Sequence, residues 1–204
     1  MRISPISSLL AACALALAFG ISASASAQAH TFSVREGGGS RIRFTSDAPL
    51  ETIRGTSSVV TGSFSLDPND LSSARGTLQV PVASLRTGVD LRDEHLRGDD
   101  WLDAERHPNG TFEITRMEGA SRLEANRSVR LRIHGRFTIH GVTRNVVANA
   151  RVRLVPGGSP RIEAQASFTI QLTDYGVSVP LPVRLKVSNE IQIEVTLRAS
   201  ASNG

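Results

Sequence analysis

From Val129 onward, apolar and polar side chains alternate with a period of two. Val129, Leu131, Ile133, Phe137 and Ile139 are apolar, and Arg130, Arg132, His134 and Arg136 fall between them. Strict alternation predicts a half-buried β-strand. Val146, Ala148, Ala150, Val152 and Leu154 repeat the pattern, as do Ile162 to Leu172 and Ile191 to Leu197. Earlier and shorter runs lie at Ile42–Phe44, Val60–Leu66, Leu78–Val82 and Phe112–Ile114. Together they predict about eight strands. Turn residues separate them. His140-Gly141 predicts a tight hairpin in which Gly141 takes a positive φ. Asp67–Asp70 and Pro156–Pro160 predict loops, and Gly37–Ser40 is expected to be a hairpin loop between two strands. The last five strands are expected to form a meander.

One segment departs from the alternation. Thr87 to Pro108 is dense in charge, with Leu91, Leu96, Trp101 and Leu102 as sparse apolar anchors. It predicts a short helix from about Asp90, a break at Gly98 and a further turn to Glu105. The expected fold is all-β: an antiparallel eight-stranded barrel with a short helical insert at about 88–107. Strands near ten residues at ~3.3 Å each favour a barrel over a sandwich.

Such a barrel is just wide enough to be filled by side chains or to hold one small ligand. Many inward positions are small: Ala148, Ala150, Ala164, Ala166, and by the same pattern Gly62 and Gly135. They mix with Phe44, Phe64, Ile133, Phe137, Val146, Phe168 and Ile170, with Trp101 added from the insert. These residues are the candidate lining of an apolar cavity. A packed core, with alanines facing phenylalanines, fits the pattern equally well. An outward apolar face, as in a membrane barrel, would need aromatic girdles; the chain has one Trp and one Tyr.

The first residues read as an address. Met1-Arg2 precedes an apolar run from Leu9 to Ile21, and Ala25-Ser26-Ala27 fits a leader-peptidase site. The expected organisation is a signal peptide at 1–27 and one domain at 28–204, periplasmic or secreted. Leu10–Cys13 resembles a lipobox, but the apolar run continues past it. Loss of 1–27 removes Cys13, the only cysteine, so no internal disulfide is expected. The chain's 23 Lys+Arg against 19 Asp+Glu leave a net charge of +4, dispersed along the sequence, which argues against nucleic-acid binding. Lys186 is the only lysine.

Candidates for chemistry are few. Asp93, Glu94, His95, Asp99, Asp100, Asp103 and His107 are the densest set of possible metal ligands, but Arg92, Arg97 and Arg106 are placed to pair with the acids. A solvated helical excursion is the expectation, with a metal site or a hydrolase as the lesser alternative. His134 and His140 are expected to be solvated. No catalytic residue, metal or cofactor is assigned.

Three blocks of residues resemble the YceI-like family of exported, lipocalin-like, polyisoprenoid-binding proteins. The first runs Ser84-Leu85-Arg86-Thr87-Gly88, Arg92-Asp93-Glu94-His95-Leu96 and Asp100 to Pro108. The second is Gly135 to Arg144, and the third is Asp174-Tyr175-Gly176-Val177 with the closing strand to Leu197. The resemblance implies an extended barrel with a long apolar tunnel, isoprenoid or fatty-acyl ligands, periplasmic location and no catalysis. It leaves a homodimer open. The chain departs from the pattern at Leu172, where the family often has Arg, and at Leu102 in the usual aromatic pair. Val177–Val187, with Pro180 and Pro182, is expected either to line the cavity mouth or to form an edge strand. Two functions compete: a carrier for isoprenoid or acyl lipids, and an exported structural or stress-related interaction domain with a filled barrel.

Overall fold

The computed structural model describes residues 29–201, so the leader and the lipobox-like segment lie outside the described residues. Ten strands carry the fold: β1 (His30–Val34), β2 (Arg41–Asp47), β3 (Thr52–Ser57), β4 (Thr61–Asp67), β5 (Asp70–Pro81), β6 (Asn109–Glu118), β7 (Ser128–Ile139), β8 (Val142–Val155), β9 (Arg161–Gln171) and β10 (Glu190–Ala201). One helix, α1 (Asp90–Arg97), lies between β5 and β6. Successive strands from β4 to β10 are antiparallel neighbours, and β1 pairs with both β4 and β10, which closes the sheet.

The ten strands make eight staves. β1 and β2 lie one after the other along the same edge of β10: Phe32 faces Ala201, and Ile42 faces Val195. On their far side β4 pairs with β1 and β3 with β2. The Gly37–Ser40 segment is therefore no hairpin turn. It is an excursion within one stave, with Gly37 and Gly39 at φ 75° and 81°. Ser40 restores the register: its hydroxyl accepts the Arg198 N–H at 2.9 Å and donates to the Arg198 carbonyl at 3.2 Å. The predicted hairpin at His140-Gly141 does form, with both residues at positive φ and Ile139 facing Val142.

Alternation places the apolar face inside. At the end where the described chain enters and leaves, the interior is solid. Phe32, Phe64, Leu66, Leu71, Leu131 and Val152 pack there, and the Phe32 and Phe64 rings stack at 5.5 Å. Each such side chain contributes about 1.5–3 kcal/mol by leaving water. The outer face carries cross-strand pairs, including Arg43–Glu194 at 3.3 Å and Arg132–Glu118 at 2.7 Å. Exposed pairs of this kind stabilise little. His134 is not solvated as expected: the β6 bulge between Ile114 and Arg116 brings Glu118 within 2.9 Å of its Nε2. Hydrogen bonds from Arg132 and then His134, with Arg116 nearby, hold the Glu118 carboxyl down at about 2.

At the other end the wall parts. Among the described residues β3 has no strand on its outer side; there Thr56 alone bridges to Arg86, through N–H···O bonds of 2.8 and 2.9 Å. Residues 82–107 fill this gap, with α1 lying over the opening. The helix stops at Gly98, as the sequence predicts. His140 is also held rather than solvated. Its Nδ1 lies 3.0 Å from the Tyr175 carbonyl, which can only accept, so Nδ1 carries the proton. Its ring packs edge-on against His107, with centroids 5.4 Å apart.

Candidate functional site

The gap end of the barrel encloses a cavity of about 480 Å³. That volume falls in the range of small-molecule sites, ~300–1,000 Å³. Its floor is the packed end, at Leu66, Val152, Ile162 and Leu197, and its mouth lies between α1 and the segment before β10. The lining is almost entirely hydrocarbon. Of the two readings left open by the alternation, packed core and cavity, each describes one half of the barrel.

The structure gathers most of the residues singled out from the sequence. Phe44, Phe64, Trp101, Ile133, Phe137, Ala148, Ala164, Ala166, Phe168 and Ile170 all border the cavity. Val146 and Ala150 do not. Ala150 is inward but belongs to the packed end with Leu131, and Val146 is only half-buried beside the upper core. The glycines contribute no space. A Cβ on Gly135 would lie 2.5 Å from Phe112 Cζ, and one on Gly62 would lie 2.2 Å from the Thr77 carbonyl oxygen. The same close fit recurs at Gly55, where a Cβ would lie 2.1 Å from Phe44 Cζ. These glycines let an aromatic ring or a neighbouring backbone lie flat on the strand. The cavity is opened by the alanines of β8 and β9.

The sequence pointed to one side of the mouth, Val177–Val187, and missed the other. Val89, Leu91, Arg92, His95 and Leu96 of the insert line it, opposite Val183 and Val187. The Val177–Val187 segment is not an edge strand. Prolines 180 and 182 set up a short 3-10 turn at Leu181–Val183 that turns Val183 inward. Helical spacing could have signalled Arg92 and His95, but their charge pointed to the solvent side. Arg92 reaches across the mouth to Glu51 at the β2–β3 tip, 2.7 Å away. Leu172, where an Arg was the family expectation, is buried and faces the cavity, so the wall there is apolar.

Asp93 anchors the insert. Its Oδ1 accepts both the backbone N–H and the hydroxyl of Thr87, each at 2.6 Å. Burial pushes the carboxyl up, but the two Thr87 hydrogen bonds, with Arg86 and Arg97 nearby, outweigh it and hold the group below its ordinary value. Asp103 is buried at φ 47° and pairs with Arg106. Asp93 and Asp103 are thus taken up by Thr87 and Arg106, and among the described residues no three His, Cys, Asp or Glu side chains converge on a metal-sized site. No helix among the described residues is long and apolar enough to cross a membrane.

Comparison with known proteins follows this geometry. A UPF0312 protein of Vibrio cholerae is 29% identical over 132 residues, spanning 62% of this chain and 66% of its own length. The crystal structure of BcnA from Burkholderia cenocepacia superposes with a TM-score of 0.65 at 20% identity, covering 83% of this chain and 99% of BcnA. A polyisoprenoid binding domain from Saccharophagus degradans superposes with a TM-score of 0.66 at 15% identity, covering 86% and 100%. The family model of the YceI-like domain matches residues 34–199, from the end of β1 to near the end of β10, and the chain belongs to that family.

Proposed function

We propose that the protein is an exported carrier whose barrel holds the hydrocarbon chain of an isoprenoid or fatty-acyl amphiphile. The observation that carries this reading is the cavity itself: about 480 Å³, walled by hydrocarbon, shut at one end and open at the other. A wall with so few polar atoms offers an apolar chain burial without asking it to form hydrogen bonds, and it would leave a polar ligand unsatisfied. The polar groups lie at the mouth, where Arg92 and His95 border the cavity beside Thr87. A head group would sit there while the chain lies below. The relative named for polyisoprenoid binding has the same fold. The reading assigns no catalytic step and no cofactor. The apolar run and Ala25-Ser26-Ala27 near the N-terminus support export to the periplasm or beyond, as residues 28–204.

Displacement of a fluorescent fatty-acyl probe by unlabelled fatty acids and polyprenyl phosphates tests this. Saturable one-to-one binding, tightening with chain length, is expected. Absence of saturable binding for every chain length would overturn the reading.

A further inference from the structure

The mouth of the barrel is ringed by apolar side chains that face water. Six large hydrophobic residues are exposed among the described residues, and all but Val147 lie at this end: Leu50, Val89, Leu91, Leu181 and Leu185. Leu181 is 75% exposed and Leu50 is 68% exposed. They come from three separate segments that the fold ties together. The Leu50 N–H donates to the Leu185 carbonyl at 2.8 Å, and Arg92 of α1 pairs with Glu51. The segment before β10 is two-faced. Val183 and Val187 line the cavity, while Leu181 and Leu185 point away from it.

Charge divides the rim. Val177–Asn189 contains Arg184 and Lys186 and no acidic residue. Neither cation has a carboxylate partner among the described residues. Asp90 and Glu94 lie on the α1 side, and Glu51, next to Leu50, is taken up by Arg92. One edge of the mouth therefore combines exposed leucines with two cations that no carboxylate neutralises, Arg184 being steadied by its Nε–H bond to the Val179 carbonyl at 3.0 Å, and this composition suits the boundary between lipid head groups and chains. The described chain cannot cover this edge with its own ends. His30 faces Leu66 and Ala201 faces Phe32, both at the closed end of the barrel.

We infer that this edge docks on the face of a lipid bilayer rich in anionic head groups. Leu50, Leu181 and Leu185 enter the head-group layer, and Arg184 and Lys186 lie against its phosphates. The cavity mouth then opens toward the membrane, so a hydrocarbon chain passes between bilayer and barrel without crossing water. The inference rests on the carrier reading for its purpose, but the docking itself is independent of what the cavity holds.

Vesicle flotation of the purified protein tests it, using phosphatidylglycerol–phosphatidylethanolamine vesicles and neutral phosphatidylcholine vesicles. The protein is expected to float with the anionic vesicles. Substituting both Leu181→Ser and Leu185→Ser should lower its partition about tenfold or more. Both side chains lie outside the cavity, so uptake of a water-soluble fluorescent acyl probe should be unchanged. Lys186→Gln should lower partition about fivefold on anionic vesicles and leave neutral vesicles unaffected. Capture that persists undiminished in the leucine variant would overturn the docking edge. So would failure of the protein to float while it still takes up the soluble probe, an outcome that leaves the carrier reading standing. Flotation without probe uptake would sustain the docking and count against the carrier reading. If the protein ignores vesicles and sediments as a dimer that the leucine substitutions dissociate, the edge belongs to a second copy of the chain and the inference fails.

Discussion

Replacing Ala164 by Phe should block the cavity without unfolding the barrel. Ala164 borders the cavity from β9, facing Val152 of β8 on one side and Leu197 of β10 on the other. A ring placed there rises from the cavity floor, with packed side chains beside it and open cavity ahead of it. The overpacking cost that an aromatic insertion normally carries, ~1–3 kcal/mol, should therefore be small here. A ligand burying ~500 Å² of hydrocarbon gains about 12 kcal/mol gross at ~25 cal/mol/Å², before ordering costs. A ring that denies the ligand ~150 Å² of that surface removes about 4 kcal/mol, close to a thousandfold in Kd. Titration with a fluorescent fatty-acyl probe reads the affinity, and thermal melting reads the fold. Ala148→Phe, on β8, should act in the same direction. Unchanged affinity in both variants, with the melting temperature retained, would remove this wall from the binding site and refute the reasoning.

Other expectations follow from the same geometry. Gly55→Ala should destabilise the protein by about 1–3 kcal/mol in urea unfolding, because the new methyl meets the Phe44 ring; no change in stability would mean the ring is free to move. Asp93→Asn should lower the melting temperature at pH 7. The folded pKa of Asp93 lies below its ordinary value, so its stabilisation is present above the unfolded pKa of about 3.9 and is lost as pH falls through the folded value. The gap between wild type and variant should accordingly narrow as pH falls below about 4, and a gap that does not narrow in acid would contradict the assignment. Glu51→Gln should change the melting temperature little, since half-exposed pairs contribute about 0–1 kcal/mol. It should speed ligand release, because the Arg92–Glu51 pair ties α1 to the β2–β3 tip; stopped-flow displacement measures this, and an unchanged release rate would show the tie is not a gate.

How much of this was legible in the chain depends on where period-two alternation runs long. β7 to β10 could be placed, with their inward faces, from Val129, Ala148, Ala164 and Ile193 alone. β1 and β3 could not. β1 has only Phe32 and Val34 inward, and β3 has a single large apolar residue, Ile53, with Gly55 beneath a ring. The excursion at Gly37–Ser40 looked like a hairpin because local sequence cannot say that β1 and β2 share one edge of β10, which lies more than a hundred residues later. Cavity volume was legible in the alanines and misleading in the glycines, since a glycine's missing side chain is filled by whatever ring its cross-strand neighbour supplies. Arg92 and His95 carry no signal of the mouth in the sequence, because a helix over an opening presents polar residues to the mouth and to water alike. His134 and His140 were misplaced because a β-bulge and a positive-φ turn decide their partners.

The most direct test of the carrier account is native mass spectrometry of the protein recovered from cells that express the full chain, followed by organic extraction and lipid identification. The account predicts a chain beginning at Gln28 that carries one hydrocarbon-chain amphiphile, and an Ala164→Phe variant that carries none. A bare chain that stays bare after incubation with fatty acids and polyprenyl phosphates would contradict it.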